Sequence, residues 1–266
     1  MPSGSHHHLK RLAVPTQWNL DKKSGKYAVR PLPGPHCKEL SIPLKYVLAR
    51  FLKIANTAKE IEYIAENKMI SINGRDIDSV KFPVGLFDVI TVKKTNQHYR
   101  IYLGANKKFK ILKIASDEAQ YRISKVVSKH TYEGIPLTHT MDGYNFKFAN
   151  PSIEIDDTVK IDIKTNKIVS NTSLEVGKLA YVFSGPQAGR IGTVTKIDVA
   201  IDLKKTVFMQ DKLGKIFQSP SNKLMTIGAK ESPVISLEED DGIRLNAFEI
   251  SNKKYSAKEN VEVEDN

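Results

Sequence analysis

A single cysteine, Cys37, in 266 residues leaves the chain no internal disulfide and no cysteine zinc site, and fits a reducing compartment. No run approaches the roughly eighteen apolar residues of a membrane-spanning helix, so no membrane partner is expected. The amino terminus, MPSGSHHHLKRLAVPTQW, lacks the apolar stretch of a secretory signal. Acids are scarce: 30 Asp and Glu against 41 Lys and Arg leave a net charge of +11. Such an excess points to nucleic acid, an anionic surface or an acidic partner, and says nothing of fold. Catalytic and metal signatures are missing too. The glycine-rich stretch Gly185–Gly192 lacks the Lys-Ser or Lys-Thr of a phosphate-binding P-loop, and no serine or cysteine sits in a nucleophile elbow. His98, His130, His139 and Cys37 share no ligand spacing, and the consecutive His6, His7 and His8 suit no structural site. The reading is of a protein that is not an enzyme and needs neither cofactor nor metal.

What is present is unevenly spread. Residues 231–266 hold ten acids and four bases, leaving 37 bases against 20 acids on residues 1–230. The body is therefore the basic object, with an acidic segment and tail behind it. Residues 1–41 form a basic arm in which Pro31, Pro33 and Pro35 suppress helix and favour an extended course. An extended basic arm is expected to order on a partner, most simply a phosphate backbone, and Trp18 and Tyr27 favour that ordering.

Residues 42–94 read as helix, turn, helix, strand. Leu44, Val47, Leu48, Phe51 and Leu52 recur at helical spacing through Ile54, and Thr57 with Glu60 makes a capping box for a second helix ending near Glu66. Met69–Ile72 alternates as a strand, Asn73-Gly74 is a tight hairpin turn, and Asp88–Val92 is a further strand. From 95 to 173 the pattern is β, with strands at Tyr99–Leu103, Phe109–Ile114 and Val159–Ile163, a short helix opening near Ser116–Ala119, and a turn at His139–Gly143. Residues 174–230 centre on a bent hairpin: Leu179–Phe183, the turn Gly185–Gly189, then Arg190–Val194. The fold class is α+β, in several small domains.

Candidate binding residues follow the charge. Lys45, Arg50, Lys53 and Lys59 lie on or beside the helix pair, with Arg75 just past the tight turn. Such a cluster can touch a folded RNA backbone, where shape and phosphate contacts dominate recognition. In the bent hairpin, the glycines allow backbone to approach a bulky partner, while Arg190 and Lys196 set positive charge beside it. Tyr181 and Phe183 read as core residues rather than base-stacking platforms.

Along nearly all of residues 8–250 the chain resembles the ribosomal protein S4e (eS4) family of the small subunit. The resemblance is carried by His8-Leu-Lys-Arg-Leu-Ala, Arg30-Pro-Leu-Pro-Gly-Pro-His36, Ile42-Pro-Leu44, Ile72-Asn-Gly-Arg75, Phe82-Pro-Val-Gly-Leu-Phe-Asp-Val89 and Ser184-Gly-Pro-Gln-Ala-Gly-Arg-Ile-Gly192. Gly242-Ile-Arg-Leu245 and the lysine-bearing tail resemble the eukaryotic branch. The resemblance implies an S4-type RNA-binding domain at 42–94, a β-rich central domain at 95–173 and a small SH3-like β-barrel, the KOW module, at 174–230. It implies binding to small-subunit rRNA beside neighbouring ribosomal proteins, no catalytic residue, no homo-oligomer, and a cytoplasmic ribosomal location with nucleolar passage during assembly. It places Lys10, Arg11 and Arg30 in an RNA-contacting arm, Arg50, Lys53 and Arg75 in the S4-type domain, and Gly189 and Arg190 in the KOW turn. The acidic Glu238–Asp241 departs from the basic stretch expected there. Two other classes carry similar modules: an RNA-modifying enzyme with an S4-type clamp, and a transcription-associated KOW protein.

Overall fold

The computed structural model describes residues 8–229, 233–237, 242–252 and 255, so the acidic Glu238–Asp241 lies outside the described residues. The arm orders on its own chain. Leu9–Lys10 (β1) pairs antiparallel with Tyr27–Ala28 (β2), and the loop between them carries Trp18 to complete burial. Its indole nitrogen donates to the Ser41 carbonyl at 2.7 Å, its ring lies 5.8 Å from that of Tyr46, and the Tyr46 hydroxyl accepts from the Val29 amide at 2.9 Å. A buried indole contributes a large apolar area at no hydrogen-bonding loss when its N–H is satisfied. The expectation of an arm ordered by phosphate is thereby corrected: residues 41–46 supply the ordering surface.

Ser41–Pro43 (β3) leads directly into helix. Pro43 is followed by one α-turn, Leu44–Tyr46 (α1), which widens into a π-helical turn, Val47–Phe51. There the Leu52 amide donates to the Val47 carbonyl at 3.0 Å, and Lys53, at φ +51°, ends the helix short of the expected Ile54. The second helix, Ala58–Glu66 (α2), begins as its sequence dictates, with a complete capping box between Thr57 and Glu60, and buries Ile61 and Ala65. Ile70–Ile72 (β4) and Arg75–Asp76 (β5) join through Asn73 and Gly74, both at positive φ as a type I′ turn requires. Pro83–Gly85 (β6) returns to pair with β3. Val89–Val92 (β7), Gln97–Leu103 (β8) and Phe109–Ile114 (β9) then complete a sheet in the order β5-β4-β7-β8-β9. The sheet continues past residue 94, which lies in the turn between β7 and β8.

The central sheet is built around one long strand, Tyr121–Tyr132 (β10). Ile135–Thr140 (β11) and Asn145–Lys147 (β12) follow on one side, Thr158–Asp162 (β13) and Ile168–Thr172 (β14) on the other. A register shift between Val126 and Ser128 bends β10, so its first half pairs with β13 and its second with β11. His139 and Thr140 remain in β11, so the expected turn starts at Met141. The last sheet comprises Lys178–Val182 (β15), Ile191–Val199 (β16), Lys205–Gln210 (β17), Ile216–Pro220 (β18) and Leu224–Ala229 (β19), in the order β18-β17-β16-β15-β19. The expected bent hairpin is β15–β16.

The molecule is rich in strand and poor in helix. One hydrophobic cluster draws together Trp18, the α1–α2 block, the first sheet and, from the last sheet, Tyr181, Met225 and Ile227. Two smaller clusters lie within the last sheet (Val182, Val194, Val207, Met209) and the central sheet (Val126, Ile153, Val159, Ile161). Polar pins join the sheets. The Tyr181 hydroxyl donates to the Leu103 carbonyl and accepts from the Leu103 amide, both at 2.9 Å. The buried Lys125 ammonium donates to the carbonyls of Ser221 and Leu224 and pairs with Asp156 at 2.7 Å.

Candidate nucleic-acid interface

The eleven residues singled out by sequence fall into three groups. Lys10, Arg30, Lys53, Lys59, Arg75 and Lys196 are exposed; Lys45 is half-buried. Lys53 and Lys59 bracket the turn between the two helices, and Lys196 pairs with its neighbour Asp198 at 2.8 Å on the outer part of β16. Arg11 and Arg50 converge on the arm. Arg11 donates to the Asp21 carbonyl at 3.0 Å, while Arg50 donates to the Asn19 carbonyl at 2.7 Å and lies 3.4 Å from the Asp21 carboxylate. Both guanidinium groups clamp the loop that buries Trp18.

Gly189 and Arg190 face inward. Gly189 sits at φ +84°, and a Cβ there would stand 1.9 Å from the Gly104 carbonyl oxygen, so the bulky partner its backbone approaches is the β8–β9 turn of the same chain. Arg190 is buried, ion-paired with Asp211, bonded to Gln187 at 3.1 Å, and lies 3.8 Å from the Phe217 ring centroid. Its charge is spent on the interior of the last sheet. Tyr181 and Phe183 are core residues, as the sequence indicates.

The arm's fold creates a feature that sequence inspection missed. An open groove of about 980 Å³ runs between β2, residues 30–38 and the segment Lys81–Pro83 that leads into β6. His8, Tyr27, Arg30, Lys38 and Lys81 line it, and among the described residues no carboxylate does. Lys10 stands opposite Tyr27 in the β1–β2 ladder. The available signal was Tyr27 between Lys26 and Arg30, but Lys81 joins them only because the Leu32 amide donates to its carbonyl at 3.0 Å.

Behind the groove is a buried polar junction. His36 bonds Asp88 at 3.0 Å; Asp88 also accepts from the Gly85 amide and the Asn73 amide group, each at 2.7 Å. Arg122 donates to Asp142 at 3.1 Å and lies over the Tyr144 ring. Burial alone would lower the His36 pKa, but the charge and hydrogen bond of Asp88 outweigh it and raise the imidazolium above its usual value. Burial would likewise raise Asp88, yet His36 and the two amides hold it below the ordinary carboxylate range. Asp142, fully buried, is pushed up to about 6 despite His36 and Arg122. The junction ties the arm to the first and central sheets. Nothing at it resembles a nucleophile with its base, and no group of three metal-ligating side chains exists among the described residues.

The architecture is thus a multi-sheet, β-rich protein with an exposed basic surface. Residues 95–168 match the profile of Ribosomal family S4e, and residues 3–39 match the RS4NT (NUC023) domain. The chain is 32% identical over 96% of its length to small ribosomal subunit protein eS4 of Caenorhabditis elegans, covering 99% of that protein. It is 35% identical to small ribosomal subunit protein eS4 of Dictyostelium discoideum, with 92% of each chain covered. The crystal structure of the 30S ribosomal protein S4e from Thermoplasma acidophilum is similar in fold, with a TM-score of 0.63, 23% identity and coverage of 74% of this chain and all of that one. The chain belongs to the S4e (eS4) family of ribosomal proteins.

Proposed function

We propose that the protein is a structural, non-enzymatic constituent of the small ribosomal subunit that neutralises phosphates and braces folded rRNA. The end-to-end match to two eukaryotic eS4 proteins carries this reading. The exposed Lys10, Arg30, Lys53, Lys59, Arg75 and Lys196 on a net-positive body support it. In this reading residues 42–94 act as an S4-type RNA-binding domain, 95–173 as the family's central β-rich domain and 174–230 as a KOW module. Neighbouring ribosomal proteins pack on the remaining faces. The protein works in cytoplasmic ribosomes after nucleolar passage during assembly. Arg11, Arg50, Gly189 and Arg190 contribute by holding the RNA-facing surface in shape.

The test is sedimentation of native lysate through sucrose gradients at low and high salt, with the protein followed by mass spectrometry. Retention on small-subunit particles in both is expected, because many phosphate contacts act together in the assembled particle. Migration as a free protein, or with polymerase, rejects the reading. In a competition assay, Lys53→Glu with Arg75→Glu is expected to lower incorporation into subunits, because each lost phosphate contact also removes released counterions.

A further inference from the structure

We propose that the groove between the arm and residues 81–83 is a seat for an unpaired RNA segment, with a base laid against Tyr27 and phosphates held by Arg30, Lys38 and Lys81. The inference rests on the rRNA-binding reading and adds the class of RNA and its place. The groove, at about 980 Å³, is lined by the cations Arg30, Lys38 and Lys81 and, among the described residues, by no Asp or Glu. Arg30 and Lys81 make no side-chain ion pair or hydrogen bond among the described residues, and Lys38 makes one, to the Ala13 carbonyl at 3.3 Å. These charges therefore line one groove without an ion-pair partner among the described residues, in a molecule where Arg11, Arg50, Arg100, Arg122 and Arg190 are all engaged by the chain.

The apolar parts decide between ligands. Tyr27 is 48% exposed, with the His8 ring centroid 5.3 Å and the Lys26 ammonium 5.5 Å away. Pro31, Pro33 and Pro83 also line it. Cations beside an aromatic ring suit a strand whose bases are splayed out, since stacking needs an accessible base face and the cations track its backbone. An A-form duplex keeps its base faces stacked inside. An acidic peptide would use the charges but leave the ring and prolines without a matching surface. The groove's walls are tied to the fold by the Trp18 anchor, the Leu32 amide bond to Lys81 and the His36–Asp88 pair. Gly34 lets the two walls meet: a Cβ there would stand 2.5 Å from Pro83 Cγ.

The experiment uses the full chain, a fluorescein-labelled ten-nucleotide oligouridine and an RNA duplex of ten base pairs, read by anisotropy across a salt series. Tyr27→Ala is expected to weaken oligouridine binding about ten-fold while leaving the duplex unchanged, and Tyr27→Phe to keep wild-type affinity. Arg30→Ala and Lys81→Ala should each reduce the slope of log affinity on log salt for the single strand by about 0.7. The emission of Trp18, the sole tryptophan, shows that the arm stays docked in each variant. Oligouridine affinity within two-fold of wild type in Tyr27→Ala overturns the proposal. So does an equal loss on the duplex, or competition by polyglutamate as strong as that by unlabelled oligouridine. If these fail while the protein still sediments with small subunits, the single-strand seat falls alone. If the wild type leaves the particles, the ribosomal reading falls.

Discussion

Gly189 and Arg190 show how one sequence signal can serve two ends. A glycine at a turn followed by an arginine reads as backbone and charge offered to a phosphate, yet both are committed within the chain. Gly189→Ala combines positive φ with a clash on the Gly104 carbonyl, and is expected to destabilise the fold by about 3 kcal/mol in urea melts. Gly177→Ala, also at positive φ (+89°) but with no described atom within 4 Å, should cost only about 1 kcal/mol. Equal effects for the two would show that the contact with the β8–β9 turn is not made in solution. Nothing local in the sequence marks the difference, because Gly104 lies 85 residues before Gly189. The buried Arg190–Asp211 pair is equally invisible, whereas the core role of Tyr181 and Phe183 follows from their place in an apolar strand.

At the scale of elements, the second helix was fully legible. Thr57 accepts from the Glu60 amide, and the Glu60 side chain accepts from the Asn56 and Thr57 amides at 2.9 and 3.3 Å. Thr57→Ala should cost about 1 kcal/mol by chemical denaturation, with Thr57→Ser close to wild type; an unchanged midpoint for Thr57→Ala would mean that water satisfies the helix end equally well. The first helix was legible in place but not in form. Its apolar spacing fixes the buried face of Leu44, Val47 and Leu48, but does not mark the widening to a π-helical turn or the contacts of its start with residues 80–82. The Lys45 amide, for instance, donates to the Val80 carbonyl at 3.1 Å. The tight Asn73-Gly74 turn formed as read, since two adjacent left-handed residues leave few other choices.

For the whole molecule, the junction of His36, Asp88, Asp142 and Arg122 makes assembly of the arm and two sheets sensitive to pH. His36 has a raised pKa when folded, so its stabilisation is complete below its unfolded value near 6.5 and is lost as pH rises through the folded one. Asp142 titrates near 6 when folded and 3.8 when not, so it also favours the folded state on the acid side. Asp88 acts oppositely: its depressed pKa gives stability above 3.8 that is lost as pH falls through the folded value. The thermal midpoint is therefore expected to be higher at pH 5.5 than at pH 8, at roughly 2–4 °C per kcal/mol. His36→Gln should flatten the profile above pH 6.5. An unchanged slope in that variant would assign the effect to groups elsewhere.

Features that depend only on neighbours along the chain were legible from residues alone: the capping box, the tight turn, most strands, the basic body with its acidic end, and the family. Periodicity, turn chemistry and charge count act over a few residues, so they can be read without coordinates. Which cations are engaged and which are left exposed was set by long-range packing. Arg11 and Arg50 were drawn to the Asp21 loop, Arg190 to Asp211, and Arg30 was set beside Lys81 across a groove. The placements of Arg11 and Arg50 follow from packing the loop that buries Trp18, and that of Arg190 from the need of a buried guanidinium for a partner. Both are long-range conditions, satisfied only when the whole chain has folded.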